Sequence, residues 1–184
     1  MNSLLHFLEP IEIIGQPIGE EYTAYRMDGA PSNKPDMRQE IGLGTCHCCD
    51  YFTIQENSVI LIEETRLLMT IESFKIKYGS IQEEVEKNEL IYERIREENT
   101  LKVYGSLLVL CHWAAQHREV ATTIRPKKHN FWLVASDAEE DNDSGRTLSH
   151  IQSLLENLKS TLGSKLFEKV EVLTPSQFKR KLRP

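Results

Sequence analysis

The chain reads as an α/β protein, a mixed β-sheet flanked by helices. Three observations lead there. The apolar runs YFTI and VILIEE are separated by the turn-like QENS, which is the pattern of a β-hairpin with a connection of four or so residues. A long stretch dominated by helix formers follows. Near the end NFWLVAS, TLSHIQSLLENLKSTLG and KVEVLTP succeed one another as strand, helix and strand, and such a crossover sets its two strands parallel with the helix on one face.

Residues 1–45 hold most of the prolines and glycines. Short pieces, IEIIG near Ile11 and EEYTAYR near Glu20, are divided by turn chemistry that culminates in MDGAPSNKPD. The expectation is an irregular N-terminal extension packed on an α/β core of residues 46–184. After the hairpin, Ile81, Val85, Tyr92, Ile95 and Val103 recur at three-and-four spacing. They define one face of an amphipathic helix whose other face carries EEVEKNE and ERIREEN. Beyond Thr100 the segment LKVYGSLLVLCHWAA is apolar on nearly every side. It predicts a helix buried between layers, with a break near Asn99. NFWLVAS suits an interior strand, DAEEDNDSGR an exposed acidic loop, and the next helix is expected to end at Gly163. SQFKRKL closes the chain as a short basic helix.

With 184 residues, 40% hydrophobic and 27% charged, the chain is long enough for one domain with a sizeable core. A formal charge of -6 argues against a surface that attracts nucleic acid everywhere, although a local basic groove is compatible with it. No run of 18 apolar residues exists, so no membrane association is expected. His6, Glu9 and Pro10 interrupt MNSLLHFLEP before a signal-peptide core forms. Cys46, Cys48 and Cys49 crowd around His47 rather than forming a spaced disulfide framework, and a cytoplasmic location fits that usage.

The sequence CDYFTIQENSVILIEET places carboxylates where a hairpin needs hydrophobes. Side chains alternate along a strand, so Val59, Leu61 and Glu63 share one face and Ile60 and Ile62 the other. Folding about QENS brings Asp50 to the level of Glu63. Two facing carboxylates repel unless a proton or a cation intervenes. Hard oxygen ligands of this kind suit Mg²⁺ or Mn²⁺. The plain alternative is a pair of strand-end charges reaching solvent.

An Asp opening one strand, a hairpin, a hydrophobic strand ending in Glu, then helix, strand, helix and strand resembles the PD-(D/E)xK nuclease superfamily, over residues 36–173. The resemblance implies a restriction-endonuclease-like core and metal-dependent hydrolysis of phosphodiester bonds in DNA or RNA. It also implies a role such as defence against mobile elements or viruses. Asp50 and Glu63 then correspond to the metal-binding acids. Thr65 stands where the superfamily usually has its lysine. Some members supply that lysine from the following helix, and Lys102, a lone charge in an apolar stretch, is the preferred substitute. Lys75 and Lys77 in FKIKY rank second, as outward charges alternating with Phe74, Ile76 and Tyr78. Glu40 or Glu21 would fill the part of a further upstream acid, and Asp36 is set aside for its loop setting. The competing class is a non-catalytic module of the same shape that binds a protein partner in a larger complex.

Cys46 and Cys49 have C-x-x-C spacing, but tetrahedral zinc needs a second pair, for which Cys111, His112 and His117 are the only source. Small residues entering a sheet are the simpler account. Lys179, Arg180, Lys181 and Arg183, with Arg125, Lys127 and Lys128, are candidate phosphate contacts or ordinary helix-end charges.

Overall fold

The structure, a computed structural model, describes residues 2–29, 35–162 and 167–182. A 3₁₀ helix, Asn2–Phe7, leads into four short strands: β1 (Leu8–Pro10), β2 (Glu12–Ile13), β3 (Gln16–Pro17) and β4 (Thr23–Arg26). Helix α1 (Met37–Glu40) precedes the hairpin β5 (Tyr51–Ile54) and β6 (Ser58–Thr65). Three helices follow, α2 (Leu67–Lys77), α3 (Glu84–Gln116) and α4 (Arg118–Ile124), before β7 (Lys128–Ala135). The chain continues with α5 (Asn142–Leu155), α6 (Asn157–Leu162), β8 (Phe167–Leu173) and α7 (Pro175–Leu182).

Six of these strands form one mixed sheet in the order β1-β4-β5-β6-β7-β8. The first four pair antiparallel, and β6, β7 and β8 run parallel. The expected α/β class and flanking helices are present. So are the hairpin, the parallel crossover over α5 and α6, and the terminal basic helix. The hairpin connection is three residues long, closed by the Gln55 amide donating to the Ser58 carbonyl at 2.8 Å. Residues 8–10 and 23–26, expected to belong to an extension packed on the core, instead supply two strands of its sheet. Gly163 and Arg183 lie outside the described residues.

Alternation along β6 and β7 builds a core on each side of the sheet. Val59, Leu61, Phe131 and Leu133 face one way, against Ile91, Ile95 and Val103 of α3 and Leu148, Ile151 and Leu155 of α5. Ile60, Ile62, Trp132 and Val134 face the other way, against Leu173, Phe178 of α7 and Ile11. Glu63 continues the first row, toward α3.

Helix α3 differs from expectation in three ways. It runs unbroken through Asn99, whose side-chain amide donates back to the Ile95 carbonyl at 2.8 Å. Its buried row is Ile91, Ile95, Asn99 and Val103, while Val85 is exposed and Ile81 lies before the helix. Beyond Thr100 it is not enclosed: Leu101 and Leu108 are 56% and 54% exposed. Apolar composition all round a helix is necessary for enclosure but does not supply the covering layer. FKIK is also helical, being the end of α2 with Tyr78 as its C-cap, and Lys75 pairs there with Glu72 at 2.7 Å on the surface.

Candidate functional site

The β5–β6 register pairs Tyr51 with Ile62, so the position before Tyr51 meets the position after Ile62. Asp50 and Glu63 therefore stand side by side at one end of the hairpin. The Glu64 amide donates to Asp50 Oδ2 at 2.7 Å. The Asp50 carbonyl accepts from the amides of Met27 and Asp28, at 2.8 and 3.3 Å, where the chain leaves β4. Glu63 is 2% exposed. From α3, Lys102 Nζ donates to Glu63 Oε1 as an ion pair. The Lys102 side chain is 34% exposed, because its stem crosses from the helix surface toward the buried carboxylate. The three residues singled out in the sequence, Asp50, Glu63 and Lys102, form one cluster.

Two carboxylates share one ammonium here, and the electrostatics follow from that count. Burial pushes the Glu63 carboxyl up to about 8, reinforced by the negative charge of Asp50 and only partly opposed by Lys102. Burial raises Asp50 to about 6, against the opposing pull of the Glu64 amide and of Lys102. Burial works against the Lys102 ammonium, but the neighbouring Glu63 carboxylate outweighs it and leaves the pKa above its ordinary value. Glu63 Oε2 is buried with no hydrogen-bond partner among the described residues. A buried carboxylate oxygen left without a donor is costly, and a proton or a cation there would relieve that cost.

Thr65 and Lys102 line the same cleft, of about 40 Å³, together with Leu67, Thr70, Ile95, Glu98 and Asn99. The lysine on the helix thus reaches the space that a side chain at position 65 borders. Larger clefts lie elsewhere, including one of about 660 Å³ between the start of α5 and α7.

The remaining candidates fall outside the cluster. Asp36 caps α1, accepting from the Gln39 amide at 2.9 Å while the Gln39 side chain accepts from the Asp36 amide. Glu40 pairs with His6 at 2.9 Å. Glu21 lies in the turn before β4, against Gly19. Lys127 Nζ donates to the Gln55 and Glu56 carbonyls and so clamps the hairpin turn. Arg180 and Lys181 pair with Glu140 and Glu171, at 2.6 and 2.9 Å. Neither residue offers an unpaired charge to a phosphate.

Sequence reasoning missed Asp28. It carries a raised pKa from burial, opposed by its ion pair with Arg38, and its charge acts on both Asp50 and Glu63. Arg38 also reaches Asp36 at 3.4 Å and donates to the Cys46 carbonyl at 2.8 Å. The cysteine loop serves as packing: Cys48 and Cys49 are buried, and the Cys49 amide donates to Ser106 Oγ at 2.8 Å. Cys111 is exposed and His112 contacts Gln116 at 2.9 Å. Among the described residues no three or more His, Cys, Asp or Glu side chains are grouped to hold a metal ion, so the C-x-x-C pair gains no second pair for tetrahedral zinc.

A magnesium-like ion asks less, because it keeps several waters and is commonly bound through one or two carboxylates plus substrate phosphate. Asp50 and Glu63, with Oε2 buried and unpartnered, fit that requirement. The fold and site together define an α/β protein with a buried two-carboxylate, one-lysine cluster at the end of a central hairpin. No family model, curated protein or solved structure matches the chain. No helix among the described residues is long and apolar enough to cross a membrane.

Proposed function

We propose that the chain is a metal-dependent nuclease of the PD-(D/E)xK type that hydrolyses phosphodiester bonds in DNA or RNA. The observation that carries this reading is the meeting of Lys102, which lines the cleft that Thr65 also borders, with Glu63 beside Asp50. The order of hairpin, helical crossover and two parallel strands supports it as well. Asp50 and Glu63 are the residues that would hold Mg²⁺ or Mn²⁺, and that ion, when bound, supplies Lewis acidity at a phosphoryl oxygen and a more acidic water.

The chain's own contributions are separable. Asp50 is held in place by the Glu64 amide and the Met27 amide, so its carboxylate has little freedom to lose. Lys102 offers three N–H donors. One is engaged by Glu63, and the others are available to stabilise negative charge developing on phosphoryl oxygens. Hydrolysis places the hydroxyl of water on phosphorus and a proton on the departing sugar oxygen. The cytoplasm is the proposed location, a reading supported by four free cysteines.

A non-catalytic interaction module is the second reading. It is favoured by the exposed Leu101, which borders a groove of about 500 Å³ with Leu154 and Leu158. Incubation of mixed DNA and RNA with Mn²⁺ distinguishes the two. The wild type is expected to cleave, and Asp50→Asn, Glu63→Gln and Lys102→Met to lose about 10²–10³-fold in rate. Equal rates in all four proteins, or no cleavage by any, remove the nuclease reading.

A further inference from the structure

Between the cysteine loop and α3 the backbones approach more closely than any side chain other than glycine allows. A Cβ built on Gly105 would stand 1.9 Å from the His47 carbonyl oxygen and 2.9 Å from Cys46 Sγ. The next residue, Ser106, is fully buried. Its hydroxyl donates to the Lys102 carbonyl at 2.8 Å and accepts from the Cys49 amide, also at 2.8 Å. One hydroxyl thus joins the helical turn that carries Lys102 to the residue immediately before Asp50. Glycine removes the bulk that would hold the two segments apart, and serine fixes their spacing with both its donor and its acceptor in use.

We propose that Gly105 and Ser106 are positioning residues that set Lys102 and Asp50 at the separation the site requires. This rests on the nuclease reading of that site. Neither residue touches a substrate; they act through the two residues they connect. A serine in an apolar helix bonding back four residues is common and by itself means little. The second bond, across to the Cys49 amide, distinguishes this one, since it ties the loop to the helix.

The test compares the wild type with Ser106→Ala, Ser106→Thr and Asp50→Asn. Mn²⁺ binding is measured by the electron paramagnetic resonance of free Mn²⁺, cleavage of mixed DNA and RNA by gel, and folding by circular dichroism. Small displacements of reacting groups are costly, so Ser106→Ala is expected to lose about ten- to hundredfold in cleavage rate and to bind Mn²⁺ more weakly while remaining folded. Ser106→Thr, which keeps the hydroxyl, is expected to recover most of both. If Ser106→Ala does not fold, Ser106→Cys, with its weaker acceptor, takes its place and is expected to fall between alanine and wild type. A folded Ser106→Ala (or, in its place, Ser106→Cys) that binds Mn²⁺ and cleaves like wild type overturns the inference. If the wild type binds Mn²⁺ through Asp50 yet cleaves nothing, the nuclease reading falls and Mn²⁺ affinity alone judges Ser106. If the wild type binds no Mn²⁺, both fall.

Discussion

Replacing Glu63 by glutamine should change how stability depends on pH more than it changes stability itself. In the folded protein Glu63 lies at about 8, against about 4.3 in an unfolded chain. The folded state therefore binds more protons between these values, and stability that is fully present below the unfolded value is lost as pH rises through the folded one. Each pH unit in that window corresponds to about 1.4 kcal/mol, so Glu63 alone removes about 4 kcal/mol between pH 5 and pH 8. Asp50, raised to about 6, acts in the same direction at the acidic end. Its charge is also one reason Glu63 keeps its proton, so the two contributions overlap rather than add. Lys102 is raised, which makes its contribution present below its unfolded value and lost only in strong alkali; it leaves the window untouched. In the Glu63→Gln variant the amide oxygen still accepts from Lys102, and the side chain cannot titrate. Urea unfolding at pH 5.0, 6.5 and 8.0 is expected to show the wild type weakening steeply and Glu63→Gln weakening by only the roughly 1 kcal/mol that Asp50 still contributes. Adding Mn²⁺ at pH 8.0 should restore about 3 kcal/mol to the wild type at a hundredfold excess over the dissociation constant, and none to the variant. A wild type equally stable at pH 5.0 and 8.0, or a variant with the same slope, would refute the charge count on which the site rests.

Moving the lysine offers a second test: Thr65→Lys combined with Lys102→Met should regain part of the cleavage that Lys102→Met loses, because both positions border one cleft. Gly105→Ala is expected to destabilise the fold by about 1–3 kcal/mol in a thermal melt, since the added methyl meets backbone at His47. On an open helix surface the same change would stabilise by about 1 kcal/mol. Ile14 and Gly15 connect β2 to β3 with φ of 53° and 67°. That two-residue turn favours Asn over a β-branched residue at its first position, so Ile14→Asn should raise the melting midpoint, with about 1 kcal/mol gained.

The carboxylate pair was legible in the sequence because alternation and a short turn leave little freedom: once YFTI faces VILIE, Asp50 must fall beside Glu63. Lys102 was legible for a different reason. A lone ammonium in an apolar stretch needs a partner, and the long helix passes over the sheet face that Glu63 occupies. The N-terminal strands carried too little pattern to be seen. Leu8–Pro10 has three residues and Thr23–Arg26 four, and their pairing depends on contacts far away in sequence. Asp28 was missed on the same account, since it nears Asp50 only through the pairing of β4 with β5. FKIKY alternates with period two over five residues, too short a stretch to separate a strand from the end of a helix. The exposure of α3 was not written in its own residues at all, because it depends on what lies opposite.

Thr65 is where a local motif and a spatial one part company. Read along β6, the strand ends in a threonine where the proposed nuclease type usually carries a lysine; read across the fold, an ammonium arrives from α3 at Glu63. The charges still do not close. Among the described residues, Arg38 pairs with Asp28, Lys102 with Glu63, and the carboxylate of Asp50 beside them receives a backbone amide but no cation of its own. A site selected only for stability would gain by replacing such a buried ionic group with apolar side chains of similar volume. Here the second oxygen of Glu63 stays buried and unsatisfied next to Asp50. A proton at that oxygen relieves the cost, in keeping with the raised Glu63 pKa, and on the proposed function a divalent cation would do the same.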